Sequence, residues 1–194
     1  MGQKDISEMD PDDLPEVIAF QDDFTREFIS SLDEVEDGYF LFESKTGGYT
    51  MKYPENARMD QLYYEMPDDK FEDIQFGEGE ETNDHEYGVR ATYDKGGRSS
   101  EFNRLKGVFE ARTSYEGNYE SIEYDDKTIH FATSEYFDQD GEIISYNFLG
   151  IIMSNYSDQS VSMAYMTDKD SVGDIDLEVI QEKTMKIMES IEFK

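Results

Sequence analysis

From Ser121 to Met166 the chain strings together four β-branched and aromatic runs: Ser121–Tyr124, Thr128–Phe137, Glu142–Ser154 and Val161–Met166. Only short turns separate them, and Asp125-Asp126-Lys127, Asp138-Gln139-Asp140-Gly141 and Ser157-Asp158-Gln159 supply the turn chemistry. This pattern constrains topology more than any other feature. Strands joined by tight turns pair antiparallel, because a parallel pair needs a crossover of a dozen or more residues.

The rest of the chain fits around that meander. Tyr39–Ser44 and Tyr49–Tyr53 flank Thr46-Gly47-Gly48, a hairpin signal. Leu62–Met66 and Phe71–Phe76 are further strand candidates, as is Tyr87–Tyr93 before the turn Lys95-Gly96-Gly97-Arg98. Three segments have helical spacing. In Pro15–Val35, Val17, Phe20, Phe24 and Phe28 recur every three or four residues, and Pro15 suits a first turn. Ser99–Thr113 aligns Phe102, Leu105 and Phe109 behind a serine cap. Ile175–Ile191 aligns Leu177, Ile180, Thr184, Ile187 and Ile191. The order predicts an α+β fold, a mostly antiparallel sheet flanked by three helices. The expected organisation is a flexible acidic tether over residues 1–14 and one domain over 15–194.

Charge bounds the partners. The 194 residues carry 17 Lys and Arg against 47 Asp and Glu, a formal net charge of −30. With 13 Phe and 14 Tyr there is still enough apolar surface for a core, which excludes wholesale disorder. A surface of this sign repels nucleic acid. Cysteine is absent, which removes disulfides, thiolate metal sites and a cysteine nucleophile. The excess acid reads first as adaptation of the surface to salt or an alkaline exterior, where cations relieve self-repulsion. Specific cation capture is the alternative.

No run has the length of a transmembrane span. The start, Met1-Gly2-Gln3-Lys4-Asp5, resembles the Cys-Gly start of mature bacterial lipoproteins, with Met1 where the lipidated cysteine would stand. The competing reading is a native initiator methionine on a cytosolic protein.

Two motifs at opposite ends of the expected domain carry a family resemblance. Gly48-Tyr49-Thr50-Met51-Lys52-Tyr53-Pro54 and Met185–Phe193 resemble the opening strand and the closing helix-strand of the PsbP-like α/β/α sandwich, a superfamily with many small exported bacterial lipoproteins. Members often have a tryptophan soon after the proline, whereas Glu55-Asn56-Ala57-Arg58 follows here. The resemblance implies a fold, with the 15–35 segment added in front of it, and carries no chemistry.

Among candidate ligand sites, residues 168–178 come nearest to a known pattern. Asp168, Asp170, Gly173, Asp174 and Asp176 fill positions 1, 3, 6, 7 and 9 of an EF-hand Ca²⁺ loop, with Glu178 one place short of the closing bidentate ligand. Val172 and Val179 occupy positions where ligands are needed, so a charged loop with Asp174 capping the next helix is the competing reading. Glu78–Glu86 is a weaker cation candidate, and Asp138–Glu142 reads as a hairpin turn. Arg90, Lys95, Arg98, Arg104, Lys106 and Arg112 concentrate positive charge within 23 positions. They could receive an anionic ligand or wall polymer, or pair internally, as Glu101 with Arg104 and Lys106 with Glu110 would. His85 and His130 have no second histidine at ligand spacing. No nucleophile elbow, P-loop or dinucleotide fingerprint occurs, and 47 carboxylates make any chosen pair uninformative. The expected class is a non-enzymatic cell-surface lipoprotein, a binding module with a protein or cell-wall partner. Its membrane contact would run through the lipid anchor alone. The alternative is a cytosolic acidic accessory or inhibitor protein that meets a basic partner as a polyanion mimic.

Overall fold

The computed structural model describes residues 6–79, 86–97, 101–167 and 176–194. Side chains alternate across its longest strands, and that alternation sets the layers. In β9 (Ile143–Ser154), Phe148 and Ile152 point to one side while Leu149 and Ile151 point to the other. In β10 (Gln159–Thr167), Val161, Met163 and Tyr165 oppose Ala164 in the same way. Both faces of this sheet are therefore covered. With β3 (Arg58–Met59), β4 (Glu65–Asp68), β5 (Phe71–Glu78), β6 (Tyr87–Lys95), β7 (Glu120–Glu123) and β8 (Lys127–Phe137) it has eight strands. Their order is β3-β5-β6-β10-β9-β8-β7, and β4 also pairs with β5. Every pair is antiparallel, as the short turns require.

A second sheet of β1 (Tyr39–Glu43), β2 (Tyr49–Pro54) and β11 (Glu192–Phe193) packs on the inner face of the first. The Thr46-Gly47-Gly48 turn forms as expected, with Gly47 at φ +69°, a left-handed value that suits glycine. The two motifs that carried the family resemblance lie side by side, since β11 pairs with β2 through Glu192↔Thr50 and Phe193↔Tyr49. Helix α4 (Leu177–Glu189) buries Ile180, Thr184, Ile187 and Met188 in the inner core, whereas Leu177 stays exposed. Helix α3 (Phe102–Thr113) lies on the outer face, where Leu105 and Phe109 meet Ala132, Leu149, Ile151 and Ala164.

The N-terminal third departs from the sequence reading. Pro15–Val35 is not one helix but two single turns, α1 (Ile18–Gln21) and α2 (Asp23–Arg26), followed by extended chain. Asp22 breaks the run: its backbone is extended, and its carboxylate accepts from the Thr25 N–H at 2.9 Å and hydroxyl at 2.7 Å, starting a new turn. Beyond α2 the backbone bonds to β1 instead of to itself, Glu43 N–H to Phe28 O and Ser30 N–H to Leu41 O. The phenylalanine spacing thus serves packing, not helical periodicity.

Residues 6–14 also differ from the expected tether. Ile6–Glu8 and Pro11–Asp13 are 3₁₀ turns, Leu14 is buried, and Ile6 and Met9 pack on the inner core. Gln61–Tyr63 is a 3₁₀ turn where a strand was expected. Helix α3 begins behind Glu101, whose side chain makes no cap bond, and Ser99 lies outside the described residues.

Candidate functional site

Helix α3 covers only part of the outer sheet face. Its apolar foot stands on β8, β9 and Ala164 of β10, and beside it the outward strip carries polar residues: Asp73 and Gln75 on β5, Arg90, Thr92 and Asp94 on β6, and Ser160 and Ser162 on β10. Three adjoining cavities run along this strip. A central one of about 390 Å³ has Phe109, Leu149, Ala164 and Ile144 as its apolar wall, with Arg90 and Arg112 among its polar residues. It shares Thr92, Arg112 and Ser162 with a cavity of about 480 Å³ that adds Asp94, Lys95 and Arg104. It shares Gln75 and Met166 with one of about 510 Å³ that adds Arg58. Four of the six arginines in a chain of net charge −30 thus line one continuous groove.

A relay of hydrogen bonds holds two of them. Arg90 clasps the buried Asp73, its Nε 3.1 Å from Oδ1 and its Nη2 on Oδ2. That bond raises the Arg90 pKa above the ordinary guanidinium value. The Thr92 hydroxyl donates to Asp73 Oδ1 at 3.3 Å and accepts from Arg112 Nη1 at 3.0 Å. Arg112 is exposed and makes no ion pair among the described residues, so most of its five N–H groups face the cavity or water. Asp94 next to it has its pKa raised by burial, against the opposing pull of Arg112 and Arg104.

Other charge clusters satisfy themselves. Between α4 and β2, Lys186 and Lys52 both bond Glu36 and hold its carboxyl down at about 2. The Lys45 ammonium pairs with Glu27 and sits over the Phe28 ring, 4.6 Å from its centroid. Lys106 pairs with Glu110 at 3.5 Å, one of the internal pairs expected from sequence. His130 Nδ1 lies 2.8 Å from Ser121 Oγ, but these are direct cross-strand neighbours of β7 and β8, and Phe102 covers the ring at 3.9 Å. Register accounts for that contact.

The remaining sequence candidates fall as follows. Asp168, Asp170 and Asp174 lie outside the described residues, as do His85, Arg98 and most of Glu78–Glu86. Of the Ca²⁺ candidates, Asp176 caps α4, its Oδ1 accepting from the Glu178 and Val179 N–H groups at 3.0 and 3.4 Å. The capping role expected of Asp174 therefore belongs to Asp176. The Glu178 side chain is exposed on the first turn. Asp138 closes the β8–β9 hairpin as expected, accepting from the Asp140 and Glu142 N–H groups, both at 2.9 Å. Of the basic cluster, the groove gathers Arg90, Lys95, Arg104 and Arg112. Tyr136, Asn147 and Ser162 also line it and were not singled out from sequence. Polar residues at outward positions of otherwise apolar strands were the available signal. Among the described residues no helix is long and apolar enough to cross a membrane.

Comparison with known proteins bears on both fold and family. The chain is 28% identical over 194 residues to the "Putative lipoprotein YvcA" of Bacillus subtilis, covering 96% of this chain and 80% of that one. The crystal structure of the Saccharomyces cerevisiae Ran-binding protein Mog1p is similar in fold. It has a TM-score of 0.50 at 12% identity, over 79% of this chain and 94% of Mog1p. A Bacteroides thetaiotaomicron crystal structure matches with a TM-score of 0.48 at 12% identity, over 79% of this chain and about half (48%) of that one. The model of the YvcA/Mog1p family, described as "Putative lipoprotein YvcA", matches residues 15–192, and the chain belongs to that family.

Proposed function

We propose that this chain is the folded part of a non-enzymatic, lipid-anchored extracytoplasmic protein that binds its ligand in the outer-face groove. The groove carries the reading. A chain so acidic places four arginines along one strip of sheet, and leaves one of them, Arg112, with donors to spare. Such a concentration of positive charge creates a local attraction for anions that the rest of the surface opposes. Membership of a family described as a lipoprotein supports the anchor. The adjacent β2 and β11 motifs support the finer placement in the PsbP-like sandwich, and the acidic remainder of the surface fits a salt-rich or alkaline exterior.

The anchor is tested by expressing the native gene in its own host with labelled palmitate. Label in the protein and its recovery with membranes are expected. An unlabelled protein in the cytosolic fraction would favour the other reading, an acidic cytosolic accessory protein with a basic partner. The groove is tested on the isolated chain by titration with cell-envelope extract, read by backbone amide shifts. Shifts concentrated on β6, β10 and α3 are expected, and shifts spread over the acidic surface would overturn the assignment.

A further inference from the structure

Taking the groove as the ligand site, we infer that its central cavity accepts a small amphiphilic anion: a carboxylate or phosphate monoester head on a short apolar body. The cavity lining combines two chemistries. Phe109, Leu149 and Ala164 are buried beneath it and expose only carbon to the space above, while Ile144 and Met166 flank it. Its charged lining is Arg112 and Arg90, with Thr92 between them, and Tyr136, Ser145, Asn147 and Ser162 add neutral polar groups elsewhere on the lining.

The two arginines are not equivalent. Arg90 is committed to Asp73, which neutralises it and fixes it in place. Arg112 has one bond to a neutral hydroxyl, and that hydroxyl is itself oriented by Asp73. Its guanidinium is thereby held at the rim with further N–H groups available, the geometry that suits a bidentate anion. Asp94 attracts Arg112 and Arg104 through space but forms an ion pair with neither, so the Arg112 donors are not taken up by it.

Size and charge narrow the class. At about 390 Å³ the cavity is at the low end of the range for small-molecule sites, about 300–1,000 Å³. A hydrophilic polyanion would gain from the arginines and leave the apolar wall unused. A neutral lipid would fill the wall and leave Arg112 unpaired. An anion with a short tail uses both, and the arginines lining the groove disfavour a cation at that spot although the net charge of −30 attracts cations elsewhere.

The test uses the full chain in 0.15 M NaCl with five probes: sodium octanoate, octyl phosphate, octanol, octyltrimethylammonium and inorganic polyphosphate. Calorimetry gives affinity, and amide shifts at Thr92, Ser162 and Ala164 give location. Octanoate and octyl phosphate are expected to bind one to one at the cavity, octanol at least tenfold more weakly, and the ammonium not there at all. Arg112→Ala is expected to weaken octanoate at least tenfold with an unchanged urea midpoint, and Arg112→Lys to fall between. Ser162→Leu, which fills the space without removing charge, is expected to block both anions. Sedimentation with phosphatidylglycerol vesicles separates a membrane headgroup from a free amphiphile, and only the free form is expected to compete with octanoate. Octanol binding as tightly as octanoate at these residues would overturn the anionic head and keep the groove. Polyphosphate binding that depends on Arg58 and Arg104, without octanoate binding, would assign the groove to a polymer. No probe shifting these residues would overturn both.

Discussion

A Cβ placed on Gly150 would stand 2.5 Å from Met188 Sδ, so β9 meets α4 with bare backbone against a fully buried side chain. Gly150→Ala is therefore expected to lose about 1–3 kcal/mol through overpacking. Met188→Ala alone is expected to cost about 2–5 kcal/mol as a cavity. The double variant should be less destabilised than the sum of the two, because the new methyl enters space the methionine has vacated. Urea unfolding of the four proteins checks this, and strict additivity would show that α4 adjusts by moving away.

Glu72 tests the cost of a carboxylate in the inner core. Its Oε1 accepts from the Lys45 N–H at 3.0 Å and the Tyr64 hydroxyl at 3.2 Å, while Oε2 is buried with no hydrogen-bond partner among the described residues. Burial raises its pKa above the ordinary 4.5. The folded protein then binds a proton that the unfolded chain has released, so this stabilisation is complete below about pH 4.5 and is lost as pH rises through the folded value. Glu72→Gln keeps an acceptor for both donors and removes the ionisation. It is expected to be more stable than the parent at pH 7.5, by about 1–3 kcal/mol, with the advantage shrinking towards pH 4.5. Urea midpoints of both proteins across that range give the answer, and a parallel pair of curves would contradict it.

His130 has the opposite sign. Partial burial against Phe102 lowers its pKa below 6.5. As pH falls through 6.5 the unfolded chain takes up the proton first, so stability drops between 6.5 and the folded pKa. An NMR titration of the ring is expected to give a value under 6.5. The stability difference between the parent and His130→Gln is expected to move against the parent from pH 7.5 to 5.5.

Cation effects should be those of screening. Asp176, one of the five carboxylates proposed for Ca²⁺, spends its Oδ1 on the α4 N-terminus. With 47 carboxylates present, raising NaCl from 0.05 to 1 M shortens the screening length from about 14 to about 3 Å and is expected to raise Tm substantially. Millimolar Ca²⁺ added in 1 M NaCl is expected to give no further shift, and chelator no loss. Asp168→Ala/Asp170→Ala is expected to behave as the parent. A Ca²⁺ shift that persists in high salt and vanishes in this variant would establish the loop as a site.

What the sequence disclosed follows from how local each cause is. Turn residues and period-two alternation act within a few positions, so the meander from β7 to β10, the hairpin at Gly47 and the stripe of α4 were all legible. The segment after Asp22 was not, because the partner that captures Phe28 and Ser30 is the edge of β1, more than ten residues away. The groove was half legible. The density of basic residues between Arg90 and Arg112 stood out, yet only the docking of α3 on Leu149 and Ala164 carries Arg112 to Thr92. Arg58 arrives from β3 through strand order alone.

Residues 192–194 are stitched to the hairpin of residues 39–54. Gln159 Nε2 lies 3.0 Å from Gly48 O, 2.9 Å from the Tyr93 hydroxyl and 3.1 Å from Lys194 O, and the Lys194 N–H donates to Gly48 O at 2.9 Å. The hairpin at residues 39–54 therefore waits for residues 192–194 before its sheet is complete. Because synthesis runs from the N-terminus, residues 192–194 must be made before this seam can close, and contacts so distant in sequence form slowly. Until then the aromatic faces of Phe42, Tyr49 and Tyr53 have no finished core to enter. A nascent chain that lacks residues 192–194 has this seam unmade, so the sheet of residues 39–54 is among the last parts of the domain to lock.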